Sequence, residues 1–220
     1  DNDGINDDDD CAPLDADASA TDECDVCGGS GPDQHFTCEG LFTPEAKAAL
    51  QTAVNLWVSN NESALSTYGE INGWDVSLIT DMSNIFKEKS TFNDDISNWD
   101  VSNVTNMYMM FFVASSFNQD LNDWDVSSVA NMNHMFNGAT SFNGDLSSWD
   151  VSSVSNMQEM LRNTAFNRDI SSWDVSNVST MREMFKQTSF NQDISSWDVS
   201  NVSSMDQMFN LTDSFNQDIS

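Results

Sequence analysis

The dipeptide Trp-Asp recurs at Trp74, Trp99, Trp124, Trp149, Trp173 and Trp197, so the spacing is 25 residues three times and 24 twice. A short, nearly constant period is the mark of a chain that stacks equivalent units on one another. In the copy at 99–122 the apolar residues are Val101, Val104, Met107, Met110, Phe111, Phe117 and Leu121, and each slot refills with a similar residue in the other copies. Apolar slots repeating at the period of the stack are what a continuous interior requires. The Met and Trp columns belong to that interior: Met fills irregular space, and each Trp buries its ring while its indole N–H seeks a backbone carbonyl.

Within one copy, Val104, Met107, Met110 and Phe111 stand three and four residues apart, which predicts a short helix over 102–111 capped by Ser102. The following 117–122 is too short for a helix and reads as an extended segment. Stacked copies would align these segments as a narrow parallel sheet at about 4.8 Å spacing, giving a rod about 29 Å long. The expected architecture is therefore an α+β repeat solenoid of about six coils over 68–220, each with a short strand and a short helix. The 24-residue copies lose one residue between Leu161 and Phe166 and between Phe185 and Phe190, in the connection where a loop tolerates it.

Three polar columns accompany the core. Asn93, Asn118, Asn143, Asn167, Asn191 and Asn216 fill one slot, Asp95, Asp120, Asp145, Asp169, Asp193 and Asp218 a second, and Asp75, Asp100, Asp125, Asp150, Asp174 and Asp198 a third. Carboxylates stacked at about 5 Å repel by roughly 1 kcal/mol per neighbour in water. Backbone N–H donors at local turns or bound cations must offset this, and the habits of Asp in turns favour local capping.

Upstream, Thr43, Pro44 and Glu45 form a helix-start signal, and Leu50, Val54, Trp57 and Val58 supply one apolar face, predicting a helix over 44–59 that stops at Asn60-Asn61. The run from Tyr68 to Trp74 imitates the end of a repeat. The helix, within a unit at 41–67, is expected to cover the open first coil, as a stacked array needs.

Residues 1–40 differ in kind. They hold all four cysteines, Cys11, Cys24, Cys27 and Cys38, in an acidic, loop-rich segment that favours two disulfides and an oxidising compartment; a four-thiolate zinc site is the rival. Asp1, Asp3, Asp7 and Asp10, with Gly4 for the turn and the Ile5 carbonyl, have the spacing of the later part of an oxygen-ligand calcium loop. Together with Cys11 they resemble the thrombospondin type 3 calcium repeat, which implies Ca2+ at Asp1, Asp3, Ile5, Asp7 and Asp10.

The whole chain carries 36 acidic against 7 basic residues, a formal charge of −29. That excludes nucleic acid, whose phosphates demand a basic surface. No apolar run of about eighteen residues exists, so no membrane-spanning segment is expected in this chain. It opens on Asp1 without Met and reads as a mature product or an excerpt.

The repeat Trp-Asp-Val-Ser-x-Val-x-x-Met-x-x-Met-Phe, followed by Phe-Asn-x-Asp-Ile-Ser, resembles that of the BspA-like leucine-rich-repeat surface proteins over 68–220. The resemblance implies a leucine-rich-repeat-like solenoid, displayed extracellularly or on a cell surface, with adhesion to a protein or glycan of a host or matrix. It supplies no catalytic residue, and no catalytic signature stands in the sequence: the carboxylate pairs repeat in every copy, unlike a single active site. The expected function is thus a non-catalytic interaction module. Tyr108, His134, Arg162, Arg168, Arg182 and Lys186 interrupt the repeat and are the candidate contact residues. The alternative is a structural segment of a surface filament or wall, with head-to-tail self-association.

Overall fold

The computed structural model describes residues 35–36 and 40–218. The candidate calcium ligands Asp1, Asp3, Ile5, Asp7 and Asp10 and the cysteines Cys11, Cys24, Cys27 and Cys38 lie outside the described residues. Those described contain two α-helices, α1 (Lys47–Ser59) and α2 (Asn61–Tyr68), and a 3-10 turn at Ile71–Gly73. From Trp74 to residue 218 there is no helix and no strand. The expected α+β repeat solenoid, with a strand and a helix in each leucine-rich-repeat-like coil, is thereby overturned. The copies are instead loops of turns laid over one another, joined by single parallel bridges through Asp81, Asn106, Asn131, Asn156, Thr180 and Ser204.

The backbone hydrogen bonds explain why no helix forms over 102–111. Met107, Met109, Phe111 and Val113 donate their N–H groups to Asn131, Asn133, Met135 and Asn137 of the next copy at 2.8 to 3.0 Å. The intervening Met110, Phe112 and Ala114 N–H groups turn back onto Met107, Met109 and Phe111. A helix needs consecutive N–H groups bonded within its own segment; here alternate ones leave it. The chained turns place Met109 at φ 54° and Val113 at φ 57°, and each copy repeats two such left-handed positions four residues apart. Two tight turns in series reproduce the three- and four-residue spacing that a helix would give.

The expected strand at 117–122 fails for a related reason. Asn118 N–H donates to the side-chain Oδ1 of Asn93, and the pattern continues through Asn143, Asn167, Asn191 and Asn216. The Phe rings beside this column, from Phe92 to Phe190, stack 5.9 to 6.3 Å apart. The Asn side chain, in place of a carbonyl, joins each copy to the next here.

The interior is continuous. Trp99, Trp124, Trp149, Trp173 and Trp197 each donate their indole N–H to a carbonyl of the preceding copy, those of Ile71, Ile96, Leu121, Leu146 and Ile170. The rings of Trp149, Trp173 and Trp197 lie within 5° of parallel at 6.4 Å. Val, Met and Phe of the other slots are buried around them up to the last copy, where Val199 and Met205 are exposed. Where a copy is one residue short, a Thr stands in the slot of Ala114 and Ala139: the Thr164 and Thr188 hydroxyls accept from Phe166 and Phe190, bonds that Ala114 O provides for Phe117 in a full copy.

The acidic columns are locally capped. Oδ1 of Asp75, Asp100, Asp125, Asp150, Asp174 and Asp198 accepts the N–H of the Ser two residues on. Asp95, Asp145, Asp169 and Asp193 do the same in their slot, and Asp120 accepts there from the Asn122 N–H. Bonds from Ser127 hold the Asp125 carboxyl below the usual Asp value although Asp100 pushes it up, and bonds from Ser200 do so for Asp198 against Asp174. At Asp125 and Asp198 the turn donors outweigh the repulsion from the neighbouring carboxylate.

Helix α1 starts at Lys47 and not at Pro44, because Phe42 is tied into a bridge with Phe36 and accepts from Asp75 N–H, holding the chain extended there. The residues read as a stop instead begin α2: Asn60 Oδ1 caps it by accepting from Ser63 N–H. Helix α1 lies on the first coil through Lys47 to Asp81 (3.0 Å), Gln51 to the Ile85 carbonyl (2.9 Å), Trp57 Nε1 to Asp94 (2.8 Å) and an edge contact of Trp57 with Trp74.

Candidate binding ridge

The chained turns put four slots of each copy, 9, 10, 13 and 14 residues after its Trp, on one side of the stack. Core and capping slots hold nearly the same residue throughout, but these four do not. The first reads Ser83, Tyr108, Asn133, Gln158, Arg182 and Asp206; the second Asn84, Met109, His134, Glu159, Glu183 and Gln207. The third reads Lys87, Phe112, Asn137, Arg162, Lys186 and Asn210; the last Glu88, Val113, Gly138, Asn163, Gln187 and Leu211. Because consecutive copies superimpose, residues 25 apart in sequence become neighbours along a ridge.

Two buried carboxylates anchor its charged part, with the Glu159 side chain 8% and the Glu183 side chain 4% exposed. Arg162 Nη1 bridges them, 2.8 Å from Glu159 Oε2 and 3.0 Å from Glu183 Oε2. Arg182 Nη2 is 2.5 Å from Glu183 Oε1, and Lys186 Nζ is 3.0 Å from Glu183 Oε2. Burial pushes the Glu183 carboxyl up, but Lys186, Arg162 and Arg182 outweigh it and hold it below the ordinary Glu value. Asn137 donates to Glu159 Oε2 at 3.0 Å, and His134 Nε2 lies 3.5 Å from the same oxygen. Burial depresses the His134 pKa; Glu159 pulls the other way, yet with Arg162 and Arg182 near, the shift stays downward, so the ring is neutral at pH 7.

The other half of the ridge is aromatic. His134 sits between Tyr108 and Phe112, with ring centroids 6.1 and 6.3 Å away, and Lys87 Nζ lies 5.7 Å from the Phe112 ring centroid. A shallow cavity of about 340 Å3 joins the two halves, lined by Met109, Phe112, His134, Asn137, Glu159, Arg162, Asn163 and Gln187.

Five of the six contact residues singled out from the sequence, Tyr108, His134, Arg162, Arg182 and Lys186, come together here. Arg168 does not: its Nε donates to the Asn143 carbonyl beside the Asn column. Sequence reasoning missed Phe112, Asn137, Glu159 and Glu183. The signal was present, since Glu fills that slot only in two consecutive copies.

These features define a stacked-repeat protein with four variable slots of each copy along one face. The chain matches DUF285, described as a Mycoplasma protein of unknown function, over residues 55–165 and 147–220, and belongs to that family. No curated protein and no solved structure matches the chain. No helix among the described residues is long and apolar enough to cross a membrane.

Proposed function

We propose that the chain is a non-catalytic interaction module of the BspA-like surface type, displayed outside the cell, which binds a protein or glycan through the ridge at Tyr108, Phe112, His134, Arg162, Arg182 and Lys186. One observation carries this reading: four slots per copy change from copy to copy while the core and capping slots around them repeat. Stacking alone asks for no such difference, because each of these slots accepts residues as unlike as Tyr108 and Asn133 without altering the turns. Repeat scaffolds use extended faces of this kind for recognition. The amino-terminal Asp1, Asp3, Ile5, Asp7 and Asp10 would bind Ca2+ as an accessory element beside a disulfide-linked Cys11, Cys24, Cys27 and Cys38.

The test is a binding panel of matrix proteins, glycans and whole cells, read with wild type and with Tyr108→Asn/Phe112→Asn, which installs the residues found in the same slots of the next copy. The proposal expects saturable binding by wild type and its loss in the double variant. A silent panel, or equal binding by the variant, would overturn it.

A further inference from the structure

The cavity on the ridge has two chemically distinct sides. Phe112 and His134, inclined at 33°, give an apolar side. Asn137, Glu159, Arg162, Asn163 and Gln187 give a polar one. Arg162 uses only Nη1 on the glutamates, and neither its remaining N–H groups nor the side-chain amides of Asn163 and Gln187 bond to any described residue. Glu159 Oε1 is loosely held, 3.4 Å from Gln158 Nε2 and 3.5 Å from Arg182 Nη1. The cavity thus presents unsatisfied donors in a planar fork, two amides that both donate and accept, and a carboxylate that accepts.

The class of ligand follows from what each alternative would leave unpaired. A purely apolar ligand would bury these polar groups without partners, at about 1–3 kcal/mol each. A strongly anionic ligand would approach a molecule of formal charge −29 and meet a buried carboxylate at the wall. A saccharide ring satisfies both sides: its C–H face packs on an aromatic ring, and its hydroxyls each donate and accept. Forked Arg and carboxylate groups suit adjacent hydroxyl pairs. The volume lies near the lower end of the roughly 300–1,000 Å3 of ligand pockets, which limits the occupant to a mono- or disaccharide unit.

We propose that the cavity between Phe112, His134, Arg162 and Asn163 binds a neutral saccharide unit, its C–H face on the Phe112 and His134 rings and its hydroxyls on Arg162, Asn163, Gln187 and Glu159. This deepens the ridge reading above and rests on it.

The complete chain is applied to an array of neutral hexoses, N-acetylhexosamines and their disaccharides, and the best responder is titrated while the two His rings are followed by NMR. The expected result is saturable binding that moves the His134 ring signals and leaves His35 unmoved. Phe112→Ala weakens binding about tenfold. Asn163→Gly removes an amide at a position whose φ of 53° Gly adopts freely, so it keeps the fold and weakens binding several-fold. A silent array, binding with His134 unmoved, or wild-type affinity in both variants would overturn the assignment. If the array is silent while wild type still binds a matrix protein or cell through Tyr108 and Phe112, only the saccharide assignment falls. If both are silent, the interaction reading falls with it.

Discussion

Replacing Arg162 by Met should destabilise the stack through the glutamate it leaves behind more than through the contact it removes. Arg162 Nη1 touches two carboxylates, and their side chains are only 8% and 4% exposed. Glu183 would keep Arg182 at 2.5 Å and Lys186 at 3.0 Å, but Glu159 would keep a distant guanidinium at 3.5 Å, the Asn137 amide, the Gln158 amide at 3.4 Å and a neutral His134. Breaking a buried pair on one side costs about 3–5 kcal/mol. Arg162 is itself about one-third exposed, and water screens part of its attraction, so about 2–3 kcal/mol is the expected loss. Urea unfolding followed by Trp fluorescence reads this as a shift in midpoint at unchanged slope. The companion Glu159→Gln removes the stranded charge and should recover most of the loss in the Arg162→Met background, giving a coupling above about 1 kcal/mol in the double-mutant cycle. A loss below about 0.5 kcal/mol, or no recovery by Glu159→Gln, would refute the reasoning.

Trp124→Phe takes the indole donor from the buried Ile96 carbonyl, which keeps the Trp99 N–H at 3.2 Å, and should cost about 0.5–1.5 kcal/mol in the same unfolding assay. Val113 holds φ 57° as a β-branched residue where the matching slot two copies on carries Asn163; Val113→Asn should raise stability by about 1 kcal/mol, seen as a higher melting temperature. For pH, bonds from neighbouring Ser residues depress Asp100, Asp125, Asp169, Asp174, Asp193 and Asp198, and the surrounding cations overcome burial to depress Glu183. A depressed carboxylate stabilises fully above its unfolded value and loses that contribution as pH falls through the folded one. His134, also depressed, acts in the same direction from about pH 6.5 downward. The melting temperature should therefore ease slightly below about pH 6.5 and fall steeply below about pH 4; a rise on acidification to about pH 3 would contradict it.

What the sequence revealed was burial, and what it concealed was backbone conformation. Val104, Met107, Met110 and Phe111 are all buried as their recurrence requires. Their three- and four-residue steps suit a helix and a pair of chained turns equally, and the left-handed backbone that separates the two sits at Met109 and Val113, residues that give no hint of it. Only Gly138, and Asn84 and Asn163, carry the usual chemical sign of such positions. The Asn column was legible as a repeated slot, but not that its side chains would replace a strand's backbone bonds. Helix α2 was hidden because Asn60 closes one helix and opens the next. At the ridge, basic and aromatic departures stood out against an acidic chain. Glu159 and Glu183 did not, because among 36 acidic residues two more carboxylates look like part of the surface until the copies are superimposed.

A crystal structure of the chain puts the stacked-turn architecture to its most direct trial. Trp149, Trp173 and Trp197 should appear as parallel rings about 6.4 Å apart, with Met107, Met109, Phe111 and Val113 N–H groups bonded to the next copy. A regular helix over 102–111, or tryptophans pointing into unrelated surroundings, would contradict it.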